Sequence, residues 1–284
     1  MSVAEVLPTG VTFTSDAGGA VLEVKDGVDA RGSIPFTWKD EQSLSCTLGD
    51  GSRAMVVITI LPGSPDRTLN VTLAEGSALF MIVLAAELSG CKIAQSVTIG
   101  RDAQCKLLNV TLGGKEIHQD VIAKVEGDGG VSSIDWIFHV SGDEEQKLTV
   151  RNVFLAKNGG GEITVKGVAE GHAQTKCNGM IEIGESGGGT NTYLTQNVLM
   201  LDATAKVDAI PGLEIRTNNV KASHSATVTK VSDEELFYFA SRGIRKEEAR
   251  TMYINGFLRD LLSKIADEQV RGLIEAEIEK RMAK

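Results

Sequence analysis

Along residues 1–231 the apolar positions recur at every second residue, in short runs. Ala54–Leu61, Thr68–Leu73, Ala78–Leu84, Lys106–Leu112, Val121–Val125, Ser133–Val140, Leu148–Phe154 and Glu162–Val168 are rich in Val, Ile, Leu and Thr, as strands are. Turn signals separate many of them: Gly49-Asp-Gly51, Glu75-Gly76, Gly100-Arg-Asp102, Gly113-Gly114, Gly127-Asp-Gly-Gly130, Gly142-Asp143 and Asn158-Gly-Gly-Gly161. A further strand is expected from Val220 to Val228. Val220, Ala222, His224, Ala226 and Val228 would share one side of it, with Lys221, Ser223, Ser225 and Thr227 on the other. Helical periodicity is absent from this region. Two architectures fit, an antiparallel sandwich or barrel and a parallel β-helix. Sandwich hairpins favour Asn-Gly or Asp-Gly turns at roughly 8–12-residue spacing, and only Asp50-Gly51 and Asp128-Gly129 qualify. A solenoid instead buries the inward residues of each coil on the next coil. Periodicity alone leaves both open.

The period changes near Val231, which divides the chain into a β region, 1–231, and a helical region, 232–284. Ser232-Asp-Glu-Glu235 reads as a capping box, Gly243 as a left-handed helix stop, and a second helix starts near Arg245. Leu258, Leu261, Leu262 and Ile265 form one apolar stripe, which Leu273, Ile274 and Ile278 continue. Gly272 within that stripe suggests a kink or close packing. Of the chain's thirteen aromatic residues, five cluster here: Phe237, Tyr238, Phe239, Tyr253 and Phe257. Successive helical residues point about 100° apart, so Phe237, Tyr238 and Phe239 cannot share a face. If two of them face the β core, the third projects toward a partner.

Composition narrows the function classes. The 284 residues are 42% hydrophobic and 24% charged, as expected of a globular protein with a substantial core. Thirty-one glycines against five prolines point to many tight turns. The net charge of −9 argues against sequence-independent nucleic-acid binding and against an anionic membrane surface. The longest apolar run, Ala78–Ala86, is far short of the roughly 20 residues a bilayer span needs. With no secretion-type N-terminus, the expected location is cytoplasmic. The four cysteines, Cys46, Cys91, Cys105 and Cys177, lack metal-binding spacing and read as small buried hydrophobes. His118, His139 and His172 are isolated, and hydrolase or phosphate-loop motifs are absent. No enzyme activity is expected, with a β-helix lyase or esterase as the least favoured class.

The order Ser223-His-Ser-Ala-Thr-Val228, Asp233-Glu-Glu-Leu-Phe-Tyr-Phe239, Ser241-Arg-Gly-Ile244 with Glu247-Glu-Ala249, then Ile254-Asn-Gly-Phe257 resembles the C-terminal signature of the SufB/SufD family. Members of that family are scaffolds of SUF iron–sulfur cluster assembly. Cys177-Asn-Gly-Met-Ile-Glu-Ile183, Thr195-Gln-Asn197 and Pro211-Gly-Leu-Glu-Ile215 extend the likeness upstream more weakly. The resemblance implies a right-handed parallel β-helix core with a small C-terminal α-helical domain. It also implies a SufC-like ABC ATPase docked on the aromatic helical region, and a SufB-like paralogue or a second copy of the chain as further partner.

His224 falls where the family places a histidine at the cluster-assembly junction, so the resemblance nominates it as a metal ligand. Departures from the pattern point toward SufD. SufB-like chains flank that histidine with glutamates, where Ser223 and Ser225 stand here. They also carry a cysteine where this chain has Asn197, and an amide cannot serve as a sulfur acceptor. The isolated chain is therefore expected to hold no tightly bound cofactor, with a nascent iron–sulfur cluster only in the complex. A homodimeric structural or interaction protein without an iron site is the alternative.

Overall fold

Inward apolar residues that alternate along each strand build two walls facing one another across a continuous core. The computed structural model describes residues 7–15, 19–39, 41–62, 66–231 and 233–282. One wall is a nine-stranded sheet of β1 (Val11–Ser15), β2 (Ala20–Val24), β4 (Ser43–Leu48), β6 (Arg67–Leu73), β8 (Ser89–Ile99), β10 (Lys115–Val125), β12 (Glu145–Phe154), β14 (Gln174–Ile183) and β16 (Lys206–Ile215). The opposite wall is an eight-stranded sheet of β3 (Asp29–Trp38), β5 (Arg53–Ile60), β7 (Ala78–Ala86), β9 (Gln104–Leu112), β11 (Val131–Val140), β13 (Gly160–Ala169), β15 (Asn191–Met200) and β17 (Lys221–Lys230). Neighbouring strands are parallel except for β1, which runs antiparallel to β2. The chain alternates between the walls, so the fold is a parallel β-solenoid. The sandwich alternative is excluded.

Register makes the core a set of axial stacks. Val24, Leu48, Leu73, Ile99, Val125, Phe154 and Ile183 are successive cross-strand partners along the first wall, and each is almost fully buried. Coils lengthen along the axis, from 24 residues between Ala20 and Leu44 to 32 between Gln174 and Lys206. Strands β1–β4 are absent from the sequence-based expectation although β2 and β4 alternate cleanly, and β8, β14, β15 and β16 are absent as well. Inward Gln95, Thr175, Gly179, Gln196 and Pro211 interrupt their apolar alternation.

The C-terminal halves of β7, β9 and β11, and in part those of β5, β13 and β15, are buried on both faces, which explains runs such as Leu107–Leu112. Their outer face is covered by α2 (Lys246–Leu262) and α3 (Glu268–Met282), while α1 (Asp233–Ser241) packs on α2. Ile82, Leu108, Val110, Ile137 and Val168 of the wall form a second apolar cluster with Ile254, Leu258, Leu261, Ile265, Ile274 and Ile278. The expected stripe is thus the buried face, except Leu273, which is 47% exposed. Close packing does not account for Gly272, since α3 runs through it and a Cβ there would meet open space. The break falls instead at residues 263–267, where Asp267 Oδ1 accepts the backbone N–H groups of Gln269 and Val270 at 3.0 and 3.1 Å. Ser232 of the expected capping box lies outside the described residues.

A polar clamp fixes these helices to the coil ends. Arg281 of α3 is 8% exposed. It donates to Glu87 (3.0 Å), Glu144 (2.6 Å), Ser141 Oγ (2.5 Å) and His139 Nδ1 (3.1 Å). His139 Nδ1 accepts, so Nε2 carries the proton and faces Glu170 Oε1 at 3.0 Å. Arg250 of α2 continues the chain, 3.8 Å from Glu170 and 2.6 Å from Asp202. The His139 imidazole beside it, with help from Arg250, holds the Glu170 carboxyl below its ordinary value.

Two outcomes follow. Arg281→Ala leaves buried partners unpaired and is expected to cost on the order of 3 kcal/mol, measured by urea unfolding. A depressed carboxyl contributes stability above its unfolded value near 4.5, and that contribution is lost as pH falls through the lower folded value. Glu170→Gln should therefore flatten the acid limb of stability below about pH 4.5 and leave its neutral part unchanged in slope.

Candidate functional site

The solenoid is closed at one end and open at the other. At the N-terminal end β1 covers the first coil, Leu7 and Phe13 pack on the core, and the Phe13 and Phe36 rings lie 5.3 Å apart. At the C-terminal end the last coil, β16 and β17, pairs on one side only. The buried stack through Phe154 and Ile183 ends on Ile215, which is 40% exposed. Val228, inward on β17, is similarly uncovered, whereas exposed Ile210 lies on the outer side of β16. The Val220–Val228 pattern correctly separates the two sides of β17. Ala226 and Val228 nevertheless lie exposed, because no further coil covers that inward side.

His224 sits on this mouth. It is the cross-strand partner of buried Leu194, shares the inward side of β17 and is exposed. One coil below, buried Gln196 donates from Nε2 to the Cys177 carbonyl at 3.2 Å and lies 3.3 Å from its Sγ. Ser223 and Ser225 point to the outer face, where Tyr193 Oη and Ser225 Oγ are 3.3 Å apart. Asn197 also faces outward, next to Lys166 and Thr227 in register. Among the described residues, no three His, Cys, Asp or Glu side chains converge as a metal site.

All four cysteines are buried and free. Burial pushes the thiols of Cys46, Cys105 and Cys177 up to about 12, the hydrogen bond from Gln196 offsetting only part of the effect at Cys177. These are protonated core groups, unlike reactive thiolates. The lumen also holds polar pairs that the period-two reading missed. Gln95 Nε2 donates to Asn109 at 2.7 Å, Trp136 Nε1 to Thr111 at 3.0 Å, and Ser132 Oγ to Asn152 at 2.8 Å. The available signal was glutamine at inward strand positions, as with Gln95, Gln119 and Gln146.

The aromatic cluster divides differently from the expectation that two of three neighbours face the core. Phe237 and Tyr238 are 73% and 57% exposed. Phe239 alone packs inward, edge-on to Tyr253 at 5.8 Å. The reason is that α1 rests on α2 and not on the sheet. Phe257 lies beneath Lys166, whose Nζ is 4.8 Å from the ring centre and donates to the Phe257 carbonyl and to Asp260. Phe237 and Tyr238 therefore present a surface, while Phe239, Tyr253 and Phe257 hold it in place. No described helix is long and apolar enough to cross a membrane.

The profile described as SUF system FeS cluster assembly, SufBD core domain, matches residues 48–257. Among similar proteins is an iron–sulfur cluster assembly SufBD family protein of Mycobacterium leprae, 29% identical over 248 residues, which are 82% of this chain and 62% of that protein. A protein of the same description from Mycobacterium bovis is 30% identical over 196 residues, 66% of this chain and 49% of its own length. One from Synechocystis is 26% identical over 142 residues, 50% and 30% of the two chains. The chain thus spans 62% or less of the length of these relatives.

The thiol chemistry is directly checkable. Iodoacetamide at neutral pH should leave Cys46, Cys105 and Cys177 unmodified in the native protein and alkylate all four cysteines in denaturant, as read by mass spectrometry.

Proposed function

The chain belongs to the SufBD family of iron–sulfur cluster assembly, and from that premise we propose that it is a non-catalytic scaffold subunit of a SUF-type complex, closer to SufD than to SufB. The observation that carries this is the uncovered terminal coil, with His224 on its mouth and apolar Ile215 and Val228 beside it on the inward side. Unpaired strand edges invite another chain, and β16 and β17 together offer two parallel edges. A SufB-like chain would complete the mouth and bring the remaining ligands to His224. The nascent cluster is cargo built there. One imidazole per chain is too few to hold a cluster, which usually takes four protein ligands. The outward-facing Asn197 and the protonated Cys177 support a member that accepts no sulfur itself.

The exposed Phe237 and Tyr238 support docking of a SufC-like ABC ATPase on α1, since aromatic side chains dominate such contacts. The complex would work in the cytoplasm. A homodimer without an iron site is the second reading, favoured by small Ala222, Ser223, Ser225 and Ala226 on β17, which permit a second copy to approach edge to edge.

Truncating the helices is a poor test, because it would bare the apolar outer wall. Point substitutions avoid that. Phe237→Ser with Tyr238→Ser should abolish co-purification of the ATPase without shifting the unfolding midpoint. Ala226→Arg, at an exposed site, should convert the assembly to monomers in light scattering, and an unchanged mass would remove the junction from β17. In the mixed complex, His224→Ala should lower anaerobic cluster yield while ATPase assembly persists. The lone protein should purify colourless, and a brown cluster on it that survived desalting would defeat the SufD-like assignment.

A further inference from the structure

The helices leave part of the odd-numbered wall bare. Over the N-terminal halves of β3, β5, β7 and β9 runs a groove of about 570 Å³, bounded by edge strand β3 and by Ala266 and Asp267 of the α2–α3 connection. Its floor is Met55 and Phe80, cross-strand partners at the uncovered margin of the outer apolar cluster. Three exposed cations surround that floor. Lys106 is the partner of Phe80 on β9, Arg53 lies two residues before Met55 on β5, and Arg31 comes from β3.

Several observations set these cations apart from an ordinary solvated face. Among the described residues none of the three makes an ion pair, although Arg53 stands directly opposite Asp29 in register. The other carboxylate on the rim, Asp267, is engaged as the cap of α3. The register of β3 shifts between Asp29 and Ser33, with Gly32 at φ 82, a backbone conformation that L side chains rarely adopt. Such irregularities re-aim side chains, and Arg31 lies inside this one. Unpaired cations gathered on an apolar, half-buried floor are unexpected in a chain of net charge −9.

We propose that this groove binds a small organic anion, with a flat apolar body on Met55 and Phe80 and a phosphate or carboxylate head between Arg31, Arg53 and Lys106. Guanidinium groups match both heads in a bidentate fork. The volume is in the range of small-molecule sites, which combine an apolar lining with a few placed polar groups. Strands on both sides hold the floor rigid, so little ordering accompanies binding.

Calorimetric titration of the whole 284-residue chain with 1-naphthyl phosphate, 1-naphthoate and inorganic phosphate tests this. Both aromatic anions should bind, and their ranking tells which head the site prefers. Inorganic phosphate, lacking the body, should bind at least tenfold more weakly than the better of the two. Arg31→Ala with Arg53→Ala should weaken the aromatic anions at least tenfold, and Phe80→Ala should weaken them while leaving phosphate unchanged. Lys147→Ala with Lys176→Ala, on the opposite wall, should have no effect. Circular dichroism confirms that each variant is folded. Undiminished binding in the double arginine variant, equal affinity for inorganic phosphate, or no heat from either aromatic anion at millimolar concentration would overturn the proposal. Tighter binding of a tetraglutamate peptide would overturn it too, by assigning the groove to an acidic polypeptide.

Discussion

Parallel pairing between successive coils is the interaction on which everything else here depends. A residue on one strand stacks on its equivalents in the coils before and after, so the core is stabilised by nearest neighbours along one axis. The stack from Val24 to Ile183 is dry because each side chain has a neighbour above and below. Such a stack must end somewhere, and its ends cannot be satisfied from within. The N-terminal end is closed by an antiparallel strand and two apolar side chains. The C-terminal end is left uncovered, so residues that face inward there are exposed to solvent.

The helices solve a second problem. Half of the odd-numbered wall is apolar on both faces, which no single-layer solenoid can shield from water. The α2 and α3 stripe covers it, and the polar chain from Arg281 through His139 and Glu170 to Arg250 and Asp202 sets where the helices lie. Burying charge is costly unless it is paired, so this chain of partners admits few alternative positions. It also supports α1 through the contact of Phe239 with Tyr253, leaving Phe237 and Tyr238 outward.

Chemistry is distributed by the same geometry. Interior thiols are buried in apolar surroundings and kept protonated. The imidazole on the terminal coil shares their inward orientation but is wet. His139, on the outward side of β11 that α3 covers, becomes a structural partner, whereas His224 on the last coil is exposed.

Much of this was legible in the chain. Alternation marked nine of the seventeen strands, glycine turns marked many of the corners, and the helical stripe named the buried faces of α2 and α3. The ordered segments from Ser223 to Phe257 identified the family. Strands with inward Gln, Thr, Gly or Pro escaped notice, because period-two patterning recognises only apolar alternation, whereas the lumen accepts polar side chains that pair there. Periodicity could not choose between sandwich and solenoid, since both bury one side of every strand. Which inward residues end up wet, which neighbouring aromatics project, and which cations lack partners were decided only by the tertiary structure. Each depends on what lies one coil or one helix away, about 5–10 Å in space but 30 to 142 residues along the chain.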